Sequence, residues 1–301
     1  MKLMRMKDII WALGLALIFS CTHRNPEEII KLVDEQIYYP QKQGLNSLIC
    51  DVHSPYIDEM FSRLKESYKG SEKILNQLDV KIEFYWRKGY GSQYVIRGIP
   101  RQLSNLRTSI KEVFKGTDIL IIPPTEQEQF RGYKLTLSKK RGKIEIIGED
   151  PNPKSELRKY CIVVEPKSWL IVQRKFYTKK FISYSTPRFA LWKGKRYTTR
   201  SDTIQHFESS EDFRSWVKLE YQELGGFWLV SKITYKFELA PSGKRVAGPV
   251  EIDFTNCRIN PPIPIDRFEK GKMVFVEPEK PITIPVPQEK EKPIPKEENR
   301  Y

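Results

Sequence analysis

Histidine, cysteine and clustered lysine are the residue types here that could carry chemistry, and their spacing limits what that chemistry is. The chain has three histidines, His23, His53 and His206. No HExxH, GxSxG, GxGxxG or P-loop spacing surrounds any of them. A hydrolytic site would need dispersed carboxylates to converge with His53 or His206, with Asp51 as one candidate beside His53. Yet His53 stands directly before Ser54-Pro55, where it reads as a residue at a helix start. No catalytic residue is therefore assigned. The cysteines after Cys21 are Cys50, Cys161 and Cys257. Their odd number permits at most one internal disulfide, and without a CxxC pair there is no metal site to assign. They read as small buried hydrophobes, and no cofactor is implied.

The basic clusters Lys139 to Lys143 and Lys193 to Arg196 each surround a glycine turn, which reads as two solvated hairpin tips, with a dedicated anion site as the alternative. They belong to a chain of 301 residues with 52 Lys and Arg against 38 Asp and Glu, a formal charge of +14. Such a surplus favours anionic partners, phospholipid head groups among them. The first residues decide the compartment. Lys2, Arg5 and Lys7 precede an apolar run from Ile9 to Phe19, the length of a signal-peptide core and too short to span a bilayer. Residues 1–20 are thus expected to be a signal peptide, and export disfavours nucleic acid. Ile18-Phe19-Ser20-Cys21 resembles a bacterial lipobox, in which Cys21 becomes the acylated first residue of a mature lipoprotein. The expected place is the cell envelope, as an outer-membrane lipoprotein facing the periplasm and held by an N-terminal lipid anchor. Plain secretion to a soluble periplasmic form is the alternative.

The elements that would position any site are mostly strands. Phe213 to Leu239 reads as one long hairpin. Val217, Leu219 and Tyr221 alternate with Trp216, Lys218, Glu220 and Gln222, and after Gly225-Gly226 the residues Phe227, Leu229, Ile233, Tyr235 and Phe237 share a face. An antiparallel sheet with one apolar face must lay it on helices, on another sheet or around a ligand. Helices are expected from the Asn25-Pro26-Glu27-Glu28 cap, with Ile29, Val33 and Ile37 on one stripe; from Ser54-Pro55, with Ile57, Met60, Phe61, Leu64 and Tyr68 inward until Gly70; and at Leu103 to Val113, ended by Gly116. Val80, Ile82, Phe84 and Trp86 alternate as another strand that returns through Tyr94 and Ile96. Further strands are expected at Leu45–Val52, Tyr133–Leu137, Lys143–Ile147, Tyr160–Pro166, Trp169–Thr178, a pair within Phe189–Tyr197, and Val250–Phe254, about ten in all. The fold class is α+β: a curled antiparallel β-sheet, an unclosed half-barrel, with helices covering its concave face. Residues 21–277 form one domain in this reading. Residues 278–301, rich in Pro, Lys and Glu, cannot bury enough apolar surface to order and form a disordered tail.

Two stretches resemble the LolA/LolB-like family of bacterial lipoprotein carriers and sorting proteins. Val164-Glu165-Pro166-Lys167-Ser168-Trp169-Leu170-Ile171, leading to Lys175-Phe176-Tyr177, is similar to the family's strand, D-P-K-T turn and strand, with Glu165 where Asp is usual. Trp216 to Tyr235 resembles its later hairpin. The resemblance implies an unclosed barrel that accepts acyl chains without catalysis, the partner being a lipid or lipoprotein acyl chain. From facing direction alone, Leu219, Tyr221, Ile233, Tyr235, Phe237, Phe84 and Trp86 are the expected apolar ligand face. Two other readings stand beside it. One is a structural or interaction lipoprotein with no cavity, whose C-terminal tail engages an envelope protein. The other is an envelope hydrolase.

Overall fold

An asparagine and a proline decide where the first helix begins. Helix α1, Pro26–Gln36, has Pro26 at its first position, and the Asn25 side chain accepts a hydrogen bond from the Glu28 backbone N–H at 2.8 Å. A cap of this kind contributes about 1 kcal/mol. The computed structural model describes residues 24–67, 76, 78–208, 211–240, 242, 243 and 245–278. The expectations for residues 1–23, Tyr68, Gly70 and 279–301, including the signal peptide, Cys21, His23 and most of the tail, lie outside the described residues. Among the described residues four further α-helices follow: α2, Pro55–Ser67; α3, Ser104–Phe114; α4, Asp118–Ile121; and α5, Glu126–Gln129. Helix α3 buries Leu106, Ile110 and Val113, the stripe its spacing predicts.

Alternation of apolar and polar residues produces the strands. They are β1 (Ser47–His53), β2 (Lys81–Arg87), β3 (Gly91–Arg97), β4 (Lys134–Lys140), β5 (Lys143–Glu149), β6 (Leu157–Glu165) and β7 (Leu170–Thr178). Then come β8 (Phe181–Trp192), β9 (Lys195–Phe207), β10 (Asp212–Leu224), β11 (Phe227–Ala240), β12 (Arg245–Ile259) and β13 (Met273–Val276). All lie in one 13-stranded sheet, more than the ten or so expected, ordered β13-β3-β2-β1-β12-β11-β10-β9-β8-β7-β6-β5-β4. From β4 to β12 it is a meander of antiparallel neighbours. The early strand β1 then joins β12, carrying β2 and β3 with it, and β13 pairs with β3 in parallel. The two ends of the ladder, β4 and β13, are not paired to each other, so the sheet is open. A disulfide joins Cys50 of β1 to Cys257 of β12, while Cys161 is free and buried.

Two bulges correct the expected facing of residues. On β11 the register with β10 shifts between Glu220 and Tyr221, so that Leu219 faces Ile233 but Tyr221 faces Val230 and Glu223 faces Trp228. The extra residue, Ser231, breaks the single face expected for Phe227, Leu229 and Ile233, because a bulge advances the pleat by one position. On β7, Ile162 of β6 faces Arg174 and Val164 faces Ile171, with a shift between them.

Helices stand on the sheet in two groups. Helix α1 packs with β4–β7, where Ile29, Ile30 and Val33 meet Ile144, Ile146, Ile162 and Val164. Helices α2 and α3 pack over β1–β3 and β10–β12, where Ile57, Leu106 and Ile110 join Phe84, Ile233, Ile252 and Phe254. The expected helical cover is therefore interrupted: neither buried cluster includes a residue of β8 or β9.

Candidate functional site, a cavity between two cores

Cross-strand pairing aligns one row of residues on the face that bears the helices. It runs Leu137, Ile146, Ile162, Arg174, Ser185, Thr203, Ser215 and Phe237. Directly opposed residues share a face, so the row changes from branched apolar to small polar in the middle of the sheet and back again. Small side chains there leave space that large ones fill on either flank. The result is a cavity of about 240 Å³. Its floor includes Ser185, Ser201 and Thr203, and its roof is the segment Ile37–Pro40 with Ile119 to Ile121 of α4 and the following Pro123 and Pro124. Apolar walls come from Phe176, Val217, Leu219 and Trp228.

One wall is charged. Helix α5 starts with a capping box, Thr125 with Glu128, and places Glu126 at 2% exposure beneath α1. Arg174 donates through Nη2 to Glu126 Oε1 at 2.8 Å and through Nε at 3.3 Å, while the Tyr160 hydroxyl donates to Glu126 Oε2 at 2.7 Å. Asp34, equally buried, accepts from the Glu126 and Gln127 backbone N–H groups and from the Tyr39 hydroxyl. Burial works against the Arg174 charge, but Glu126 and Tyr160 outweigh it and hold the guanidinium above its usual range. Burial followed by the Glu126 charge raises Tyr160 well above the ordinary phenol value, and Tyr39 likewise. Near neutrality Arg174 therefore keeps its charge, and the two phenols stay neutral. Among the described residues Arg174 Nη1 makes no hydrogen bond, and its side chain is 21% exposed beside the cavity.

The end of the cavity towards the β8–β9 and β10–β11 turns is aromatic. Trp228 stacks on Tyr221 with centroids 6.0 Å apart and on Trp192 at 5.6 Å, and Tyr38 meets Trp192 edge-on at 4.9 Å. The Tyr221 hydroxyl donates to the Thr198 carbonyl, and burial raises its pKa.

No protein-family model matches this chain, and no curated protein matches it. Two solved structures align with it. One is a domain named as an outer membrane lipoprotein-sorting protein from Vibrio parahaemolyticus, 9% identical with a TM-score of 0.35. The other is a LolA superfamily protein from Nitrosomonas europaea, 9% identical with a TM-score of 0.29. Each alignment covers 82% of this chain and 98% of the other. The first is named for lipoprotein sorting and the second for the LolA superfamily. Neither alignment assigns a residue here, and the site rests on its own geometry.

Of the expected ligand face, Leu219 and Tyr221 line the cavity. Ile233, Tyr235, Phe84 and Trp86 are buried in the packed cluster under α2 and α3, where Tyr235 donates to the Val113 carbonyl at 2.8 Å, and Phe237 packs partly buried against it. The histidines do not converge with dispersed acids. His53 pairs with Asp58 at 2.8 Å and His206 with Asp212 at 2.7 Å, both exposed and each with its own neighbour in sequence. Asp51 accepts from Asn256. Among the described residues no His, Cys, Asp and Glu group could hold a metal, and no helix is long and apolar enough to cross a membrane. Arg174, Glu126 and the floor of Ser185, Ser201 and Thr203 were not anticipated. The alternating Ser183 and Ser185 on β8 and Ser201 and Thr203 on β9 were the available signal.

Proposed function

We propose that the cavity takes an acyl chain of a lipid or lipoprotein, and that the protein is a non-catalytic carrier or holder in the bacterial envelope. The observation that carries this reading is an apolar enclosure with one uncommitted donor. Phe176, Val217, Leu219 and Trp228 offer hydrocarbon contact, at about 0.8 kcal/mol for each methylene withdrawn from water. Arg174 Nη1 then supplies a hydrogen bond to a carbonyl at the polar end of that chain. An acyl ester or amide fits this better than a free anion, because Glu126 already neutralises the guanidinium. Acylation of Cys21 would anchor the carrier to a membrane, and the C-terminal tail is free in this reading to engage an envelope protein.

Organic extraction of the purified protein followed by mass spectrometry, together with titration of a fluorescent fatty-acyl probe, tests the proposal. A co-purifying acylated lipid and saturable probe binding are expected. An empty extract with no probe binding would favour a purely structural lipoprotein whose face is ordinary core.

A further inference from the structure

Alternate connections of a meander return to the same end of the sheet, so the β4–β5, β6–β7 and β8–β9 turns share one end, and β5–β6, β7–β8 and β9–β10 share the other. The first end is unusually basic. Its β4–β5 turn holds Lys139, Lys140, Arg141 and Lys143, and the β6–β7 turn adds Lys167, all exposed. Among the described residues none of the five forms an ion pair or side-chain hydrogen bond. Structural charges in this fold do find partners, as Lys175 does with Glu145 and Lys232 with Glu251. The same end also carries apolar surface. Leu191, just before the β8–β9 turn, is 66% exposed, more than any other large hydrophobic residue described. Beside it Trp192 has the Lys193 ammonium 4.2 Å from its ring centroid.

The start of the described chain lies there too. Arg24 stacks over Trp169, in the β6–β7 turn, at 5.1 Å. Uncommitted cations, a protruding leucine and the start of the described chain thus coincide at one end.

We infer that this end is a docking surface for a bilayer containing anionic phospholipid. Leu191 at the β8–β9 tip enters the interface, and Lys139 to Lys143 with Lys167 lie against the phosphates. Each cation near such a surface strengthens binding about fivefold. The inference does not depend on what the cavity holds.

Co-sedimentation with vesicles tests it, using the full chain with Cys21→Ser so that no acyl anchor contributes. Vesicles of phosphatidylcholine alone are compared with phosphatidylcholine mixed with phosphatidylglycerol. Preference for the mixed vesicles, weakened by salt, is expected. Lys139→Glu with Arg141→Glu should weaken that binding about twentyfold or more. Lys154→Glu with Lys180→Glu, an equal change of charge at the opposite end, should cost less than about threefold. Leu191→Ser should weaken binding about tenfold. Circular dichroism confirms that each variant folds. Equal losses from the two charge reversals, absence of preference for the anionic vesicles, or an unaffected Leu191→Ser variant would each overturn the inference.

Discussion

Arg174 of β7 stands directly across from Ser185 of β8, and between these two residues the face that bears the helices changes from hydrocarbon core to polar floor. On the Arg174 side Ile162 and Ile146 continue the row into the cluster under α1. On the Ser185 side Thr203 and Ser215 continue it until Phe237 restores an apolar side chain. Of these small residues Ser185 and Thr203 line the cavity, together with Ser201.

Filling that volume separates a binding site from a core. Thr203→Trp is expected to abolish acyl-probe binding with little change in melting temperature, because it occupies open space. Ile233→Trp is the contrast: Ile233 is fully buried. Overpacking it should cost roughly 1–3 kcal/mol of stability. Probe titration and thermal melting on the same two variants check both outcomes.

The Glu126–Arg174 pair gives a second test. Glu126→Ala leaves the guanidinium beside a cavity without its carboxylate and deprives Tyr160 of its acceptor. A loss of about 3–5 kcal/mol in chemical denaturation is expected. Arg174→Gln keeps one donor, so probe affinity should fall while binding persists.

Thiol chemistry should follow burial. Cys161 is buried, and desolvation, with Glu145 adding to it, pushes its thiol up to about 11. In the folded protein near neutral pH it should resist alkylation, and in denaturant it should react at once. Replacing Cys50 and Cys257 together by alanine should lower stability by about 2–5 kcal/mol, read from denaturation midpoints.

Truncation distinguishes tail from body. Glu277 accepts from Arg107 at 2.7 Å and from Arg101, just beyond β13. Ending the chain after Pro278 should leave the melting temperature unchanged. Ending it after Gly271 removes β13 and uncovers β3 as an edge, so a drop of several degrees and a tendency to associate are expected.

The long hairpin β10–β11, the three principal helices and most of the meander were legible in the sequence because their alternation and caps are local. The site was not, for a reason particular to its residues. Alternation counted from Ile171 sends Arg174 outward, but the shift near Val172 turns it in beside Glu126. Ser231 is likewise an extra residue, so that Val230, and not Ser231 itself, stands across from Tyr221. A bulge is one residue that no period of two reveals. β8 and β9 are longer than expected because their inward residues, among them Ser183, Ser185, Ser201 and Thr203, lack an apolar signature. The four residues of β13 lie beyond a proline-rich stretch, and their parallel partner β3 is remote in sequence.

The position of β1 between β12 and β2 sets an order of events for a chain made from its N-terminus. β1 has one neighbour close in sequence and one far away, with Cys50 and Cys257 separated by 207 residues. Until β12 has been synthesised, the β1–β2–β3 unit is an orphan with an open flank, and the meander grows without it. Of the two ladders that β1 makes, the one with β12 can form only then. Such a non-local closure slows folding far more than it weakens the finished structure. A polypeptide that must be threaded unfolded through a membrane before it folds would gain time from that delay.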